Sequence, residues 1–100
     1  MAQPKIQVPT EQIRDFCRRN HIRQLLLFGS VLRDDFRPES DVDVLVEFEP
    51  GAQIGLFEFV RIQEELAALL QRPVDLVPKD GLKPGLRSSV LASAQVVYAA

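Results

Sequence analysis

Phe28-Gly29-Ser30, ten further residues, and then Asp41-Val42-Asp43-Val44-Leu45-Val46 form the segment on which this chain is best read. Val42, Val44, Leu45 and Val46 make its second half a β-strand, and residues i and i+2 of a strand face the same side. Asp41 and Asp43 therefore share a face, where like charges repel. An edge strand with its polar face in water could carry such a pair, but the apolar neighbours suggest a buried strand, where unpaired carboxylates are costly. A hard, oxygen-seeking cation would neutralise them. In the first half, Gly29 halts the apolar run Gln24 to Phe28. Taken alone, Gly29 simply ends a strand at positive φ, and Ser30 is an ordinary helix N-cap. At a fixed distance from two aspartates, the same turn can offer free N–H groups to a phosphate. The two halves together read as a metal-nucleotide site.

Working outward, Pro9-Thr10 opens a first helix, with Thr10 as the expected N-cap and Glu11 favourable in the first turn. Ile13, Phe16 and Cys17 line one face of it, and Asn20-His21 ends it. Gln24 to Phe28 reads as a buried strand. Ser30 to Arg33 is expected to form a short helix, and Asp34 to Ser40, which holds Pro38, a loop. The second strand runs from Asp41 to Phe48. Between Gly55 and Gln71, Phe59, Ile62, Leu66, Leu69 and Leu70 recur at helical spacing, and Leu56, Phe57 and Val60 widen that stripe. Val74 to Val77 is a short third strand, a helix is expected around Gly85 to Ala94, and Gln95 to Tyr98 a fourth, edge strand. Helices alternating with strands predict an α/β (α+β) fold: a small mixed sheet with helices mainly on one face. Neither a repeat nor a domain boundary interrupts residues 1–100, so a single domain is expected.

Composition narrows the function. The chain has 46% hydrophobic and 26% charged residues, an ordinary globular composition. Twelve basic against fourteen acidic residues leave a net charge of -2, which argues against general binding to a nucleic-acid backbone. One cysteine, Cys17, cannot form an internal disulfide; its place on an apolar helix face suits a core residue in a reducing compartment. No apolar signal core or membrane-length apolar run is evident, so a cytoplasmic protein is expected.

Further candidates surround the acidic pair. Asp75 interrupts the apolar run Val74-Asp75-Leu76-Val77; if that strand neighbours the second, Asp75 can join the metal cluster or serve as general base. Arg33 either grips phosphate through its planar fork or is a solvated charge. Ser40 caps or hydrogen-bonds near the acidic turn. His21 is the only histidine, which makes zinc improbable and suits a turn.

Gly29-Ser30-Val31-Leu32-Arg33 followed by Ser40-Asp41-Val42-Asp43-Val44-Leu45-Val46 resembles the signature of the DNA polymerase β-like nucleotidyltransferase superfamily. Within it, the chain is similar to the minimal nucleotidyltransferases, the MntA-like antitoxins of HEPN/MNT toxin–antitoxin systems. The likeness covers nearly the whole chain, including Val74 to Val77 and Leu82 to Tyr98. It implies that Gly29 and Ser30 hold nucleotide phosphates and that Asp41 and Asp43 ligate Mg²⁺. Asp75 would complete the triad and activate the acceptor hydroxyl. It also implies transfer of AMP from ATP to a tyrosine of a HEPN ribonuclease toxin, which would be silenced. Asp34 departs from the glycine that many relatives carry after the arginine; pointing inward, it would repel phosphate.

That chemistry needs positioning and charge neutralisation more than covalent help. Magnesium prefers a few carboxylates plus substrate phosphates, so the ion should arrive largely with ATP. Two rivals stand beside this expectation. One is a non-catalytic antitoxin that binds its toxin through Leu56, Phe57, Phe59 and Val60, a cluster richer than one buried face requires. The other is a small-molecule nucleotidyltransferase, which would need a helical acceptor domain that is not evident here.

Overall fold

The computed structural model describes residues 8–29, 41–82 and 84–100. The expected short helix from Ser30 to Arg33 and the loop from Asp34 to Ser40 lie outside those residues. The elements follow in the order α1 (Thr10–Arg19), β1 (Ile22–Phe28), β2 (Val42–Phe48), α2 (Leu56–Leu70), β3 (Val74–Pro78), α3 (Pro84–Ser93) and β4 (Gln95–Ala99). A 3₁₀ turn, Lys79–Gly81, links β3 towards α3.

Four strands lie in the order β3-β2-β1-β4. β1 runs antiparallel to both β2 and β4, whereas β2 and β3 are parallel. Parallel neighbours need a crossover, and α2 supplies it. Strand alternation then sorts the side chains. Leu25, Leu27, Val42, Val44, Val46, Val74 and Leu76 join one buried cluster with Ile13, Phe16 and Cys17 of α1 and Ile62, Leu66 and Leu70 of α2. Leu26 and Leu45 alternate to the second face and are buried there too, with α3 packed against β1. The mixed sheet with most of its helical cover on one face is thus the expected fold.

Local chemistry explains the joints. Asn20 is buried at the end of α1 and bonded at both ends of its amide: its Nδ2 donates to the Phe16 carbonyl at 2.8 Å, and its Oδ1 accepts from Arg61 Nη2 of α2 at 3.1 Å. His21 follows at φ 57, the left-handed turn that sends the chain into β1. Gln71 closes α2 in the same conformation, at φ 55. On the outer edge of the sheet, the Leu76 N–H donates to Gln63 Oε1 at 3.0 Å. That bond ties α2 to β3 and occupies a donor that an open edge would leave exposed.

Two local expectations are corrected. α1 starts at Thr10 itself, with Pro9 as its N-cap and no side-chain capping bond. The Pro9 carbonyl accepts from Ile13 N–H at 2.9 Å, so the proline, with its restricted φ, begins the first turn. The widened apolar stripe of α2 is also narrower than expected. Phe59 packs on the core, but Leu56, Phe57 and Val60 are exposed, because α2 meets the sheet along Ile62, Leu66 and Leu70.

Cys17 is a core residue, and burial pushes its thiol from 9.0 up to about 12. The native thiol should resist alkylation at neutral pH and react only on unfolding, as mass spectrometry with iodoacetamide would show. The unfolded chain releases this proton near 9.0 while the folded chain holds it to about 12; the group therefore favours folding below that interval, and its contribution is lost as pH rises through it. Phe16→Ala, which empties the centre of the core, should cost about 3–5 kcal/mol in urea unfolding.

Candidate active site at the head of the parallel strands

The two parallel strands begin together. Val42 N–H donates to the Pro73 carbonyl at 2.8 Å, and the register then pairs Val42 with Val74 and Asp43 with Asp75. Across the antiparallel ladder, Asp43 pairs with Phe28. Phe28, Asp43 and Asp75 therefore form a row over three adjacent strands, on the face opposite Val42, Val44 and Leu76. Asp41 stands two residues before Asp43, at the mouth of β2. Asp41 and Asp75 are exposed and Asp43 is partly exposed.

This corrects the expectation of a buried acidic strand. The valines and Leu45 are buried, as their composition suggested, but the aspartates occupy the water-accessible end of the sheet. Exposure at the sheet end keeps the cost of carrying these charges low. The neighbouring-strand condition set for Asp75 is met through its pairing with Asp43.

Gly29 leaves β1 immediately after Phe28 with φ 78. A Cβ built there would collide with Oδ2 of Asp43 and lie 3.1 Å from its Cγ. The turn is thus packed directly on the carboxylate, and both its backbone conformation and the space beside it favour glycine. Nothing in the sequence beyond the Gly-Ser pair signals this contact. Ser30, Arg33, Asp34 and Ser40 lie outside the described residues.

The donor chemistry suits a hard divalent cation, because Asp41, Asp43 and Asp75 present only carboxylate oxygens. Among the described residues, which include Asp41, Asp43 and Asp75, no three His, Cys, Asp or Glu side chains form a group that could hold a metal ion, so the expected convergence of the three aspartates is not seen beyond the Asp43–Asp75 pairing. The same residues contain no helix long and apolar enough to cross a membrane.

Residues 10–97 match the model of the nucleotidyltransferase domain family. The chain belongs to that family. It is 39% identical over 89 residues to the protein adenylyltransferase MntA of Thermococcus cleftensis, spanning 89% of this chain and 86% of that protein. The fold is similar to a chain in the crystal structure of a toxin–antitoxin with AMP-PNP, with a TM-score of 0.72 at 21% identity over 92% of this chain and 74% of the other. It also resembles a chain in the structure of a tri-AMPylated Shewanella oneidensis HEPN toxin in complex with MNT antitoxin. That likeness has a TM-score of 0.64 at 22% identity and covers 91% of this chain and 70% of the other. The protein is a nucleotidyltransferase whose fold is also similar to the structure of a minimal nucleotidyltransferase, with a TM-score of 0.70 at 39% identity over 85% of each chain, as the Gly-Ser and Asp-x-Asp signature implied.

For this nucleotidyltransferase, Gly29→Ala should displace the turn or the Asp43 carboxylate and lower nucleotidyl transfer by about a hundredfold, the scale of a misplaced group. Circular dichroism should show the fold retained while the transfer rate falls.

Proposed function

We propose that this nucleotidyltransferase is the antitoxin of a HEPN/MNT toxin–antitoxin pair, transferring AMP from ATP to a tyrosine of its HEPN-family ribonuclease toxin in the cytoplasm. The observation that carries the reading is the pairing of Asp43 with Asp75 beside a Gly29 turn with no room for a side chain. Kinship with an MntA protein adenylyltransferase supports a protein acceptor. The fold shared with a chain from an AMPylated HEPN toxin complex supports the kind of partner.

In this reading, Gly29 and Ser30 hold the nucleotide phosphates, and Arg33 and Ser40 are further candidates for binding them. Asp41, Asp43 and Asp75 would hold Mg²⁺ brought in with the nucleotide. When bound, the ion offsets charge on the phosphates. Asp75, exposed at the end of the row, accepts the proton of the tyrosine hydroxyl. The phenolic oxygen forms a bond to the α-phosphorus, the bond to the β-phosphate oxygen breaks, and pyrophosphate leaves.

ATP labelled at the α-phosphate, Mg²⁺ and the HEPN toxin encoded beside the chain should give labelled toxin. Asp43→Ala should reduce labelling by about 10²–10³-fold, and chelation with EDTA should abolish it. An intact chain that leaves the toxin unlabelled overturns the enzymatic reading. The alternative, a non-catalytic antitoxin that neutralises by binding, is favoured by the exposed Leu56, Phe57 and Val60. It wins if Asp43→Ala still protects cells fully at native expression.

A further inference from the structure

Asp75 stands on the outermost strand, and its side chain has little of its own to hold it. β3 is an edge of the order β3-β2-β1-β4, and Asp75 is exposed. Among the described residues, no hydrogen bond or ion pair reaches its carboxylate. Asp43 differs, because the Gly29 turn packs directly on its carboxylate. The direction of the Asp75 side chain is therefore set by the backbone that carries it.

That backbone is held from both sides. On the inner side, β2 pairs with β3 in the register that sets Asp43 against Asp75, starting where Val42 N–H donates to the Pro73 carbonyl at 2.8 Å. On the outer side, Leu76 N–H donates to Gln63 Oε1 at 3.0 Å. This N–H belongs to the peptide unit that joins Asp75 to Leu76. Because a peptide unit is planar, the bond fixes the rotation that follows the Asp75 Cα. Gln63 is itself well based. Its neighbours in α2, Ile62 and Leu66, are buried in the core, so the helix beneath its side chain does not yield. Without Gln63, this donor would face outward from an open sheet edge.

The core has no need of the Gln63 amide, since α2 meets the sheet along Ile62, Leu66 and Leu70. We propose that Gln63 is a positioning residue for nucleotidyl transfer, which aims the Asp75 carboxylate at the acceptor hydroxyl through the Asp75–Leu76 peptide and touches no substrate itself. This rests on the reading above in that Asp75 accepts the hydroxyl proton. A base works only within hydrogen-bond reach of the proton it takes, so a shift of about 1 Å in the carboxylate is enough to slow transfer.

Gln63→Met keeps the length of the side chain and removes the acceptor. In transfer of labelled AMP from ATP to the HEPN toxin encoded beside the chain, it should lower kcat about tenfold and leave the KM for ATP within about twofold. Gln63→Glu, which keeps an oxygen at the Leu76 N–H, should stay within about threefold of the parent. Asp75→Asn should lower kcat about a hundredfold. Adding Gln63→Met to it should cost no more than about a further twofold, because the two residues act as one unit. Amide exchange followed by NMR reads the same link without catalysis: Gln63→Met should speed exchange at Leu76 and leave Leu25 and Leu27 of β1 at parental rates. Parental kcat in Gln63→Met overturns the positioning role alone, as does a tenfold fall in Gln63→Glu. An equal fall with and without Asp75→Asn, or faster exchange throughout β1, also overturns it, because either marks a general loosening of the fold. Parental kcat in Asp75→Asn, or no transfer by the parent, overturns the functional reading together with the positioning role.

Discussion

Parallel pairing of β2 with β3 is the constraint on which the site depends. It sets two like charges, Asp43 and Asp75, side by side, an arrangement that local energetics oppose. The opposition is met elsewhere in the sheet. In the same register Val42 meets Val74 and Val44 meets Leu76, all four in the core cluster. A slip by one residue would turn those apolar side chains to water and bring the carboxylates into the core. Burying four aliphatic side chains is worth several kcal/mol, which exceeds the repulsion of two solvated carboxylates at the sheet end.

Two hydrogen bonds sharpen this register. Val42 N–H meets the Pro73 carbonyl where the strands begin, and Gln63 of the crossover helix takes the Leu76 N–H on the outer edge. α2 is in turn joined to α1 through Arg61 and Asn20. The antiparallel neighbour adds the last piece, since β1 ends opposite Asp43 and its Gly29 turn packs on that carboxylate. Rigid elements thus position the charged row, and a glycine admits the backbone beside it.

The molecule is divided along the length of β2. Acidic side chains gather where the strand begins, and exposed apolar ones stand beyond its end, at the start of α2. A domain of this size offers one wall of a cleft, so a macromolecular acceptor can complete it.

The chain's own alternation and helical spacing, with Gly29 and the Asp41/Asp43 pair, determined its strands, its helices and its kinship, because those signals are local in sequence. Helix and strand ends, such as the N-cap of α1 at Pro9 instead of Thr10, were less legible, since neighbouring residues can each satisfy the same turn. Tertiary structure alone decided that Asp75 stands against Asp43, that the acidic row faces water, that Gly29 touches a carboxylate, and that Phe57 lies outside the core. Each of those facts is a pairing between distant parts of the chain. Periodicity says which face of an element is apolar, but which neighbour covers that face, and how far along, is settled only when the elements pack.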